Sequence, residues 1–213
     1  MAINFQVRAQ VVDLTRDRPK AEDKFWVDTN VWLWLVYPAM TVSMDDRRKR
    51  LCDSYLRYFR DATRAGSALH WCALQFSEIA HQIERTEFEA AKSGGVLGSD
   101  PKFKEYRHGS ATERERVTGL IQGAWQDVCS NGAGALSPAL QLDGPAAETA
   151  ASTIAACALD GHDLFYLQNL QAAGVTQVLS DDGDFCTVSG ITLFTIHGGV
   201  IAAARSQGKL IRR

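Results

Sequence analysis

The fold is decided by the stretch Phe25-Trp26-Val27-Asp28-Thr29-Asn30-Val31-Trp32. Its first three residues form a short, continuous apolar run, which is typical of a buried strand in a parallel sheet. An acid and two small polar residues follow, and apolar residues then resume in a predicted helix. Asp28 is therefore predicted at the carboxyl end of a strand, where open α/β sheets bind their ligands. Because aspartate is also common in ordinary turns, Asp28 alone does not establish a site.

Two further predicted strands also lead into acidic residues. The apolar stretch His70-Trp71-Cys72-Ala73-Leu74 is followed by a helix that carries Glu78 in its first turn. The stretch Gln177-Val178-Leu179-Ser180 is followed by Asp181-Asp182-Gly183-Asp184. Both patterns repeat the arrangement around Asp28.

A fourth acidic stretch begins a helix. Asp160-Gly161-His162-Asp163 precedes a predicted helix from about Leu164 to Ala173, which Gly174 ends. Asp160 suits the N-cap position, and Asp163 lies three residues later in the first turn. The acids of all four stretches are expected to converge.

Together the four stretches resemble the PIN domain, a nuclease family whose site gathers acids from separated parts of the chain. The family pattern Thr/Ser-x-Asp-x-Asp-Phe assigns the fourth acid to Asp182 rather than Asp181. The resemblance covers most of the chain from about Phe25 to about Ile196. It implies a three-layer α/β/α fold with a central, mostly parallel sheet, and it implies catalytic acids at Asp28, Glu78, Asp163 and Asp182. The matching pieces, in family order, are Val27-Asp28-Thr29-Asn30-Val31, Ser77-Glu78-Ile79, His162-Asp163-Leu164-Phe165-Tyr166-Leu167 and Ser180-Asp181-Asp182-Gly183-Asp184-Phe185.

The same four acids are the predicted metal ligands. Two like charges about 4 Å apart repel by roughly 4 kcal/mol at an effective dielectric constant near 20, so four clustered carboxylates require a cation. Carboxylate ligands without cysteine or paired histidine favour Mg²⁺ or Mn²⁺ over zinc. Asn30, Ser180 and Asp184 are predicted to orient these ligands. The predicted activity is metal-dependent endoribonuclease hydrolysis of RNA.

The resemblance also implies partners. Many small PIN proteins are toxins of bacterial toxin–antitoxin pairs, and the family often forms homodimers, so the implied partners are RNA, an antitoxin protein and a second copy of the chain. This chain is longer than the usual small toxin. Residues 1–24 are predicted to form an N-terminal arm or an extra strand. Residues 25–213 are predicted to form a single PIN-like domain with an insertion at about 93–144.

Composition limits the cellular setting. The chain has 213 residues and a formal charge of −2, which excludes a globally basic nucleic-acid coat but not a local basic patch. No apolar stretch of about 18 residues is present, so no membrane partner is expected. The five scattered cysteines, without a Cys-x-x-Cys pair, and the lack of a signal-peptide pattern predict a cytoplasmic protein with reduced thiols.

Three basic stretches leave alternatives open. Lys102, Lys104 and Arg107 interleave with aromatic residues, which is typical either of a surface that holds single-stranded RNA or of an amphipathic loop. The run Arg47-Arg48-Lys49-Arg50 is either a solvated helix face or an edge that contacts phosphate. The tail after His197 is either a partner-binding arm or a frayed end.

Two other functions compete with the nuclease. One is a non-catalytic RNA-binding or scaffolding module with the same fold, against which the presence of all four acids argues. The other is a Mg²⁺-dependent phosphatase with a nucleophilic aspartate, which usually has a second aspartate two residues later. Asn30 occupies that position, so this function ranks lower.

Overall fold

Short apolar runs form the centre of a parallel sheet in the computed structural model, which describes residues 4–42, 44–97 and 101–213. Seven strands pair in this described part of the chain. They are β1 (Gln10–Asp13), β2 (Lys24–Val27), β3 (Ala68–Trp71), β4 (Gly134–Ala135), β5 (Gln177–Leu179), β6 (Thr192–Thr195) and β7 (Leu210–Ile211). Their order is β4-β3-β2-β5-β6-β1-β7, and every pairing is parallel.

Helices cover both faces of this sheet, which confirms the predicted three-layer α/β/α fold. They are α1 (Thr29–Val36), α2 (Asp46–Ala65), α3 (Gln75–Ser93), α4 (Phe103–Gly109), α5 (Ala111–Asn131), α6 (Gly144–Thr153), α7 (Gly161–Ala172) and α8 (Gly198–Ser206). Short 3₁₀ turns occur at Pro38–Thr41 and Asp184–Thr187. Among the described residues, no helix is long and apolar enough to cross a membrane.

The alternation of side chains along β2 divides the core into two layers. Phe25 and Val27 are fully buried on the side of α1, α2, α3 and α5. Trp26 is fully buried on the opposite side, against α7 and α8. Successive strand residues point to opposite faces, so a strand covered on both sides must be apolar throughout.

Strand order places a topological switch point between β2 and β5. From β2 the chain moves outward to β3 and β4, and it then returns to the other side of β2 to form β5. Val27 pairs with Leu179, so the residues that follow them, Asp28 and Ser180, leave the sheet side by side. Ligands of open α/β sheets bind in the crevice outside the carboxyl ends of the strands at such a point.

The two ends of the chain are more ordered than their sequences suggest. The first strand, β1, lies at Gln10–Asp13, within residues 1–24, for which the sequence predicts an N-terminal arm or an extra strand. The prediction of an arm or frayed end after His197 is wrong, because α8 and β7 follow it. Arg213 forms ion pairs with Asp17 and Asp23 at 2.7 and 2.5 Å, which fasten this end to the fold.

The predicted insertion contributes to the core. Helix α5 buries Val117, Ile121, Ala124 and Val128 against the layer that contains α1. The edge strand β4 also lies within the predicted insertion. Gly98, Ser99 and Asp100 of the insertion lie outside the described residues.

Candidate active site

Asp28 lies at the N-cap position of α1, but its side chain does not cap the helix. Instead, its carboxylate accepts a hydrogen bond from the Ser180 hydroxyl at 2.7 Å. Its backbone N–H donates to the carbonyl oxygen of Leu179 at 3.0 Å, which fixes the residue against the end of β5. Asp28 is only 5% exposed, and Ser180 is fully buried. The carboxylate is therefore held at the switch point rather than used to start a helix.

A relay of hydrogen bonds fixes the loop after β5. The Ser180 hydroxyl oxygen accepts from the Asp182 backbone N–H at 2.8 Å, and the Asp182 carboxylate accepts from the Asp184 backbone N–H at 2.8 Å. Asp181 is held differently, because the Tyr55 hydroxyl lies 3.2 Å from its carboxylate. Asp28 and Asp182 are thus joined through Ser180, while Asp181 is held against α2.

Glu78 reaches the site from the first turn of α3. The Thr29 hydroxyl donates a short hydrogen bond to its carboxylate, and His162 lies 3.9 Å away with its ring 58% exposed. Beneath this contact, the fully buried Gln75 accepts from the Cys72 backbone N–H at 2.9 Å and donates to the Val27 carbonyl at 2.8 Å. Gln75 therefore ties the start of α3 to the end of β2.

Asp163 completes the group from the first turn of α7. Asp160 caps that helix as predicted, accepting from the backbone N–H groups of His162 and Asp163 at 2.9 and 3.1 Å. Asp163 is buried, at 9% exposure. Its side chain makes no hydrogen bond among the described residues, so its carboxyl group lacks the support that the other acids have.

The pKa shifts indicate that the four acids act on one another. Burial, with repulsion from Asp182 and Glu78, raises the pKa of Asp28 to about 7, against the lowering effect of the Ser180 hydrogen bond. Burial, followed by the charges of Asp28, Asp160, Asp182 and Glu78, raises the pKa of Asp163 to about 9. In the metal-free protein at neutral pH, Asp163 is therefore protonated.

The four acids have few positively charged neighbours. No Lys or Arg of the described residues forms an ion pair with Asp28, Glu78, Asp163 or Asp182. Elsewhere in the fold, partly buried carboxylates such as Glu84 and Asp23 do pair with arginine. Repulsion among uncompensated buried carboxylates favours the binding of a cation.

Tyr166 adds an unsatisfied polar group beside these acids. It lies three residues after Asp163 in α7, so the two side chains share a helix face. Its ring packs on Trp26 with centroids 5.1 Å apart, and only 1% of the residue is exposed. Its hydroxyl makes no well-formed hydrogen bond among the described residues, although the Glu78 carboxylate and the Thr29 hydroxyl lie close enough to influence its pKa. Burial and the nearby Glu78 carboxylate raise the pKa of Tyr166.

Other predicted residues lie differently. Asn30 is exposed, and its role in orienting a ligand stays a prediction. The neighbouring Thr29 faces the site instead and donates to Glu78, since successive helical residues diverge by about 100°. Asp184 is partly buried, and its backbone N–H donates a hydrogen bond to the Asp182 carboxylate. Burial and, to a smaller extent, the charge of Asp182 raise the pKa of the Asp184 carboxyl. Thr29 and Gln75 were not predicted from the sequence.

The stretch with Lys102, Lys104 and Arg107 is helix α4, not a loop. Its aromatic residues pack inward; the Phe103 ring, for example, lies 5.4 Å from that of Phe88 on α3. Arg107 pairs with Glu84 at 2.5 Å, while Lys102 and Lys104 are exposed. The interleaved pattern is thus that of an amphipathic helix whose partly buried rings pack on neighbouring residues, and RNA binding by Lys102, Lys104 and Arg107 stays a prediction.

The donor set suits a hard divalent cation, since Asp28, Glu78, Asp163 and Asp182 offer only carboxylate oxygens. As the side chains stand, however, no three His, Cys, Asp or Glu residues in the described ranges lie close enough together to hold one ion. Binding would need side-chain rotation, or water molecules in the remaining coordination positions, which Mg²⁺ usually retains.

Comparison with protein-family models, curated proteins and solved structures finds no match for this chain. The residues at the switch point and their arrangement are therefore the evidence for its function.

Proposed function

We propose that the chain is a Mg²⁺- or Mn²⁺-dependent endoribonuclease. The observation that carries the proposal is that the charges of Glu78 and Asp182 act on Asp28, and those of all three act on Asp163, beside the switch point between β2 and β5, where no Lys or Arg of the described residues pairs with them. The buried hydroxyl of Tyr166 lies beside them, near Glu78 and Thr29, and adds a polar group to the site. The choice of RNA as substrate comes from the resemblance of the four sequence motifs to the PIN family.

The residues would divide the work as follows. Asp28, Glu78, Asp163 and Asp182 would hold the ion, with Ser180 and Thr29 fixing the first two carboxylates. Asp163 would release its proton as the ion binds, since ligands must be deprotonated. A bound divalent ion would stabilise charge on the scissile phosphate and help to generate the attacking hydroxide.

The proposal is tested by incubating purified protein with mixed RNAs in the presence of Mg²⁺, Mn²⁺ or a chelator. Cleavage that requires the ion, and that Asp28→Asn removes, is the expected result. Asp160→Asn is the control, because asparagine also caps helices well. Absence of cleavage with either ion, in folded protein, would contradict the proposal.

A second candidate function is a non-catalytic RNA-binding module. The observation that favours it is that no three potential ligands in the described ranges lie close enough to share an ion. Such a module would bind RNA equally well with ion and with chelator, and would leave the RNA intact. A toxin role, an antitoxin partner and a homodimer stay predictions from the family resemblance.

A further inference from the structure

The side chain of Tyr55 extends from α2 to the end of the sheet. Tyr55 is fully buried, and it lies on the inward face of α2 with Cys52, Phe59 and Ala62. Its ring packs against that of Trp34 on α1, with centroids 5.4 Å apart. The close packing of the ring fixes the position of the hydroxyl, which reaches the carboxyl ends of β5 and β6.

The hydroxyl oxygen of Tyr55 lies where the next hydrogen bond of the β5–β6 ladder would form. Ser180 continues that ladder beyond β5, because its N–H donates to the Phe194 carbonyl at 3.2 Å. In a parallel ladder, the Ser180 carbonyl would then accept from the residue two positions after Phe194, which is Ile196. Instead, the Ile196 N–H donates to the Tyr55 hydroxyl at 3.2 Å, and that hydroxyl donates to the Ser180 carbonyl at 2.9 Å. Tyr55 thus replaces one backbone hydrogen bond and keeps the ends of the two strands apart.

Neighbouring polar groups determine the direction of these hydrogen bonds. A tyrosine hydroxyl has one proton to donate and can accept as well. The Ser180 carbonyl and the Asp181 carboxylate, at 2.9 and 3.2 Å, can only accept, so the Tyr55 proton is directed towards them. The Thr195 hydroxyl, 2.9 Å from the Tyr55 oxygen, is then the donor in that contact, and its own oxygen accepts from the His197 N–H at 3.1 Å. Every partner of the Tyr55 hydroxyl therefore belongs to the segments that follow β5 and β6.

The residue whose carbonyl Tyr55 holds is the one that joins two of the acids. The Ser180 hydroxyl donates to the Asp28 carboxylate at 2.7 Å and accepts from the Asp182 backbone N–H at 2.8 Å. Because β5 lies between β2 and β6, a movement of Ser180 towards β6 is a movement away from Asp28. Without the Tyr55 hydroxyl, the Ser180 carbonyl and the Ile196 N–H are free to pair directly, which would draw Ser180 in that direction.

We infer that Tyr55 is a positioning residue of the candidate site, because its hydroxyl holds Ser180 where it joins Asp28 to Asp182. Its effect on cleavage rests on the proposed function, whereas its effect on the backbone does not. In the described part of the chain, the hydrogen-bond partners of Tyr55 include none of the four acids, so it would act through Ser180. Replacing a residue that supports metal ligands typically changes metal affinity or activity about 10- to 100-fold.

The test in metal-free protein compares Tyr55→Phe with Tyr58→Phe, since each variant removes one buried tyrosine hydroxyl from α2. The Tyr58 hydroxyl donates to Asp17 at 2.6 Å, in the connection between β1 and β2. Hydrogen–deuterium exchange in chelator, followed by NMR, measures the Asp182 and Asp184 amides, which are hydrogen-bonded within the loop. In Tyr55→Phe their exchange should accelerate about tenfold more than that of the β2 amides, which report global unfolding. In Tyr58→Phe the loop and β2 amides should change together.

The same two variants are then compared with RNA and Mn²⁺. Tyr55→Phe should lower the maximal rate of cleavage, or raise the Mn²⁺ concentration that gives half of it, about tenfold. Tyr58→Phe should stay within about twofold of the wild type in both quantities, because its hydroxyl contacts none of the segments after β5 and β6 among the described residues.

The outcomes separate the role of Tyr55 from the proposed function. Equal exchange of the loop amides in the two variants would overturn the positioning role, whether or not the protein cleaves RNA. Faster exchange in Tyr55→Phe, with no cleavage by the wild type in either ion, would support the positioning of the backbone and refute the nuclease. Cleavage by Tyr55→Phe with the rate and Mn²⁺ dependence of Tyr58→Phe would overturn the positioning role and leave the nuclease standing.

Discussion

Replacing Asp163 by asparagine should stabilise the metal-free protein. The pKa of this carboxyl rises from 3.8 to about 9 on folding. At pH 7 the unfolded chain therefore ionises Asp163 while the folded chain keeps it protonated. Each pKa unit corresponds to about 1.4 kcal/mol, so the roughly three units between 3.8 and 7 oppose folding by up to about 4 kcal/mol. Asparagine has nearly the same shape and removes this penalty.

The expected gain is smaller than that limit, because the asparagine amide must also be buried without a hydrogen-bond partner among the described residues. We expect an increase of about 2 kcal/mol or more in the free energy of unfolding, which is about 4–8 °C in melting temperature for a chain of this size. The raised pKa also determines how stability changes with pH. Wild-type stability should fall as pH rises from near 3.8 towards 9, and the variant should lose much of that slope.

The assay is urea unfolding followed by circular dichroism in chelator, over a range of pH. Asp160→Asn is the comparison: it keeps the helix cap and removes one of the charges that raise the pKa of Asp163, so it should stabilise the protein less than Asp163→Asn does. Adding Mn²⁺ should stabilise the wild type more than Asp163→Asn, since the variant lacks one ligand. An Asp163→Asn protein that is less stable than wild type in chelator, with an unchanged pH slope, would refute the reasoning about this acid.

Three further substitutions test separate parts of the structure. Tyr166→Phe should change the free energy of unfolding by less than about 1 kcal/mol, because no well-formed hydrogen bond among the described residues is lost. It should slow cleavage about tenfold if the hydroxyl contacts the bound ligand. Melting curves and initial rates measure the two effects, and an unaltered rate would exclude contact with the ligand. Gln75→Ala should lower the free energy of unfolding, measured in urea, by about 2–4 kcal/mol, because the buried Cys72 N–H and Val27 carbonyl lose their partner. A decrease below about 1 kcal/mol would contradict the role of Gln75 in joining α3 to β2. Arg213→Ala should lower the same free energy of unfolding by about 3 kcal/mol, because it leaves the buried Asp23 carboxylate without its arginine partner. Unchanged stability would mean that the ion pairs of Arg213 contribute little to the stability of the fold.

The central strand and the acids after it follow closely from the sequence. The apolar run Phe25 to Val27 can be placed only in a strand that is covered on both faces, and Asp28 then necessarily stands at its end. Helix α1 follows directly after Asp28, as the sequence predicts, and it ends before Pro38, which starts a 3₁₀ turn. In the same way, a predicted buried strand places Glu78 in the first turn of the helix after it, and the spacing of Asp160 and Asp163 identifies Asp160 as a helix N-cap. These features depend on neighbouring residues, which the sequence displays directly.

The supporting contacts depend on helix phase, which short-range patterns do not fix. Thr29 and Asn30 are both small and polar, yet a single step along α1 turns one towards Glu78 and the other to solvent. Gln75 is the first residue of its helix and has no apolar neighbour pattern to indicate burial. The one signal in the sequence for the burial of Gln75 is its position directly before the apolar face of α3.

The ends of the fold depend on distant partners. Strand β7 has two residues and exists because it pairs with β1, some two hundred residues earlier in the chain. Helix α8 begins with Gly198 and Gly199, which conceal its start in the sequence. In α4, the aromatic residues suggested bases as partners, whereas their actual neighbours are residues of α3. Such contacts become visible only when the tertiary structure is known.

The adjacent pair Asp181 and Asp182 provides the most direct test of the four-acid site. Asp182 is joined to Asp28 through Ser180, whereas Asp181 is held by Tyr55. The measurement is the initial rate of RNA cleavage in Mn²⁺ by Asp182→Asn and by Asp181→Asn. We predict a loss of about a hundredfold or more for Asp182→Asn, because several kcal/mol of metal-assisted stabilisation are removed. For Asp181→Asn we predict a rate within about threefold of wild type. Equal rates in the two variants would contradict the site.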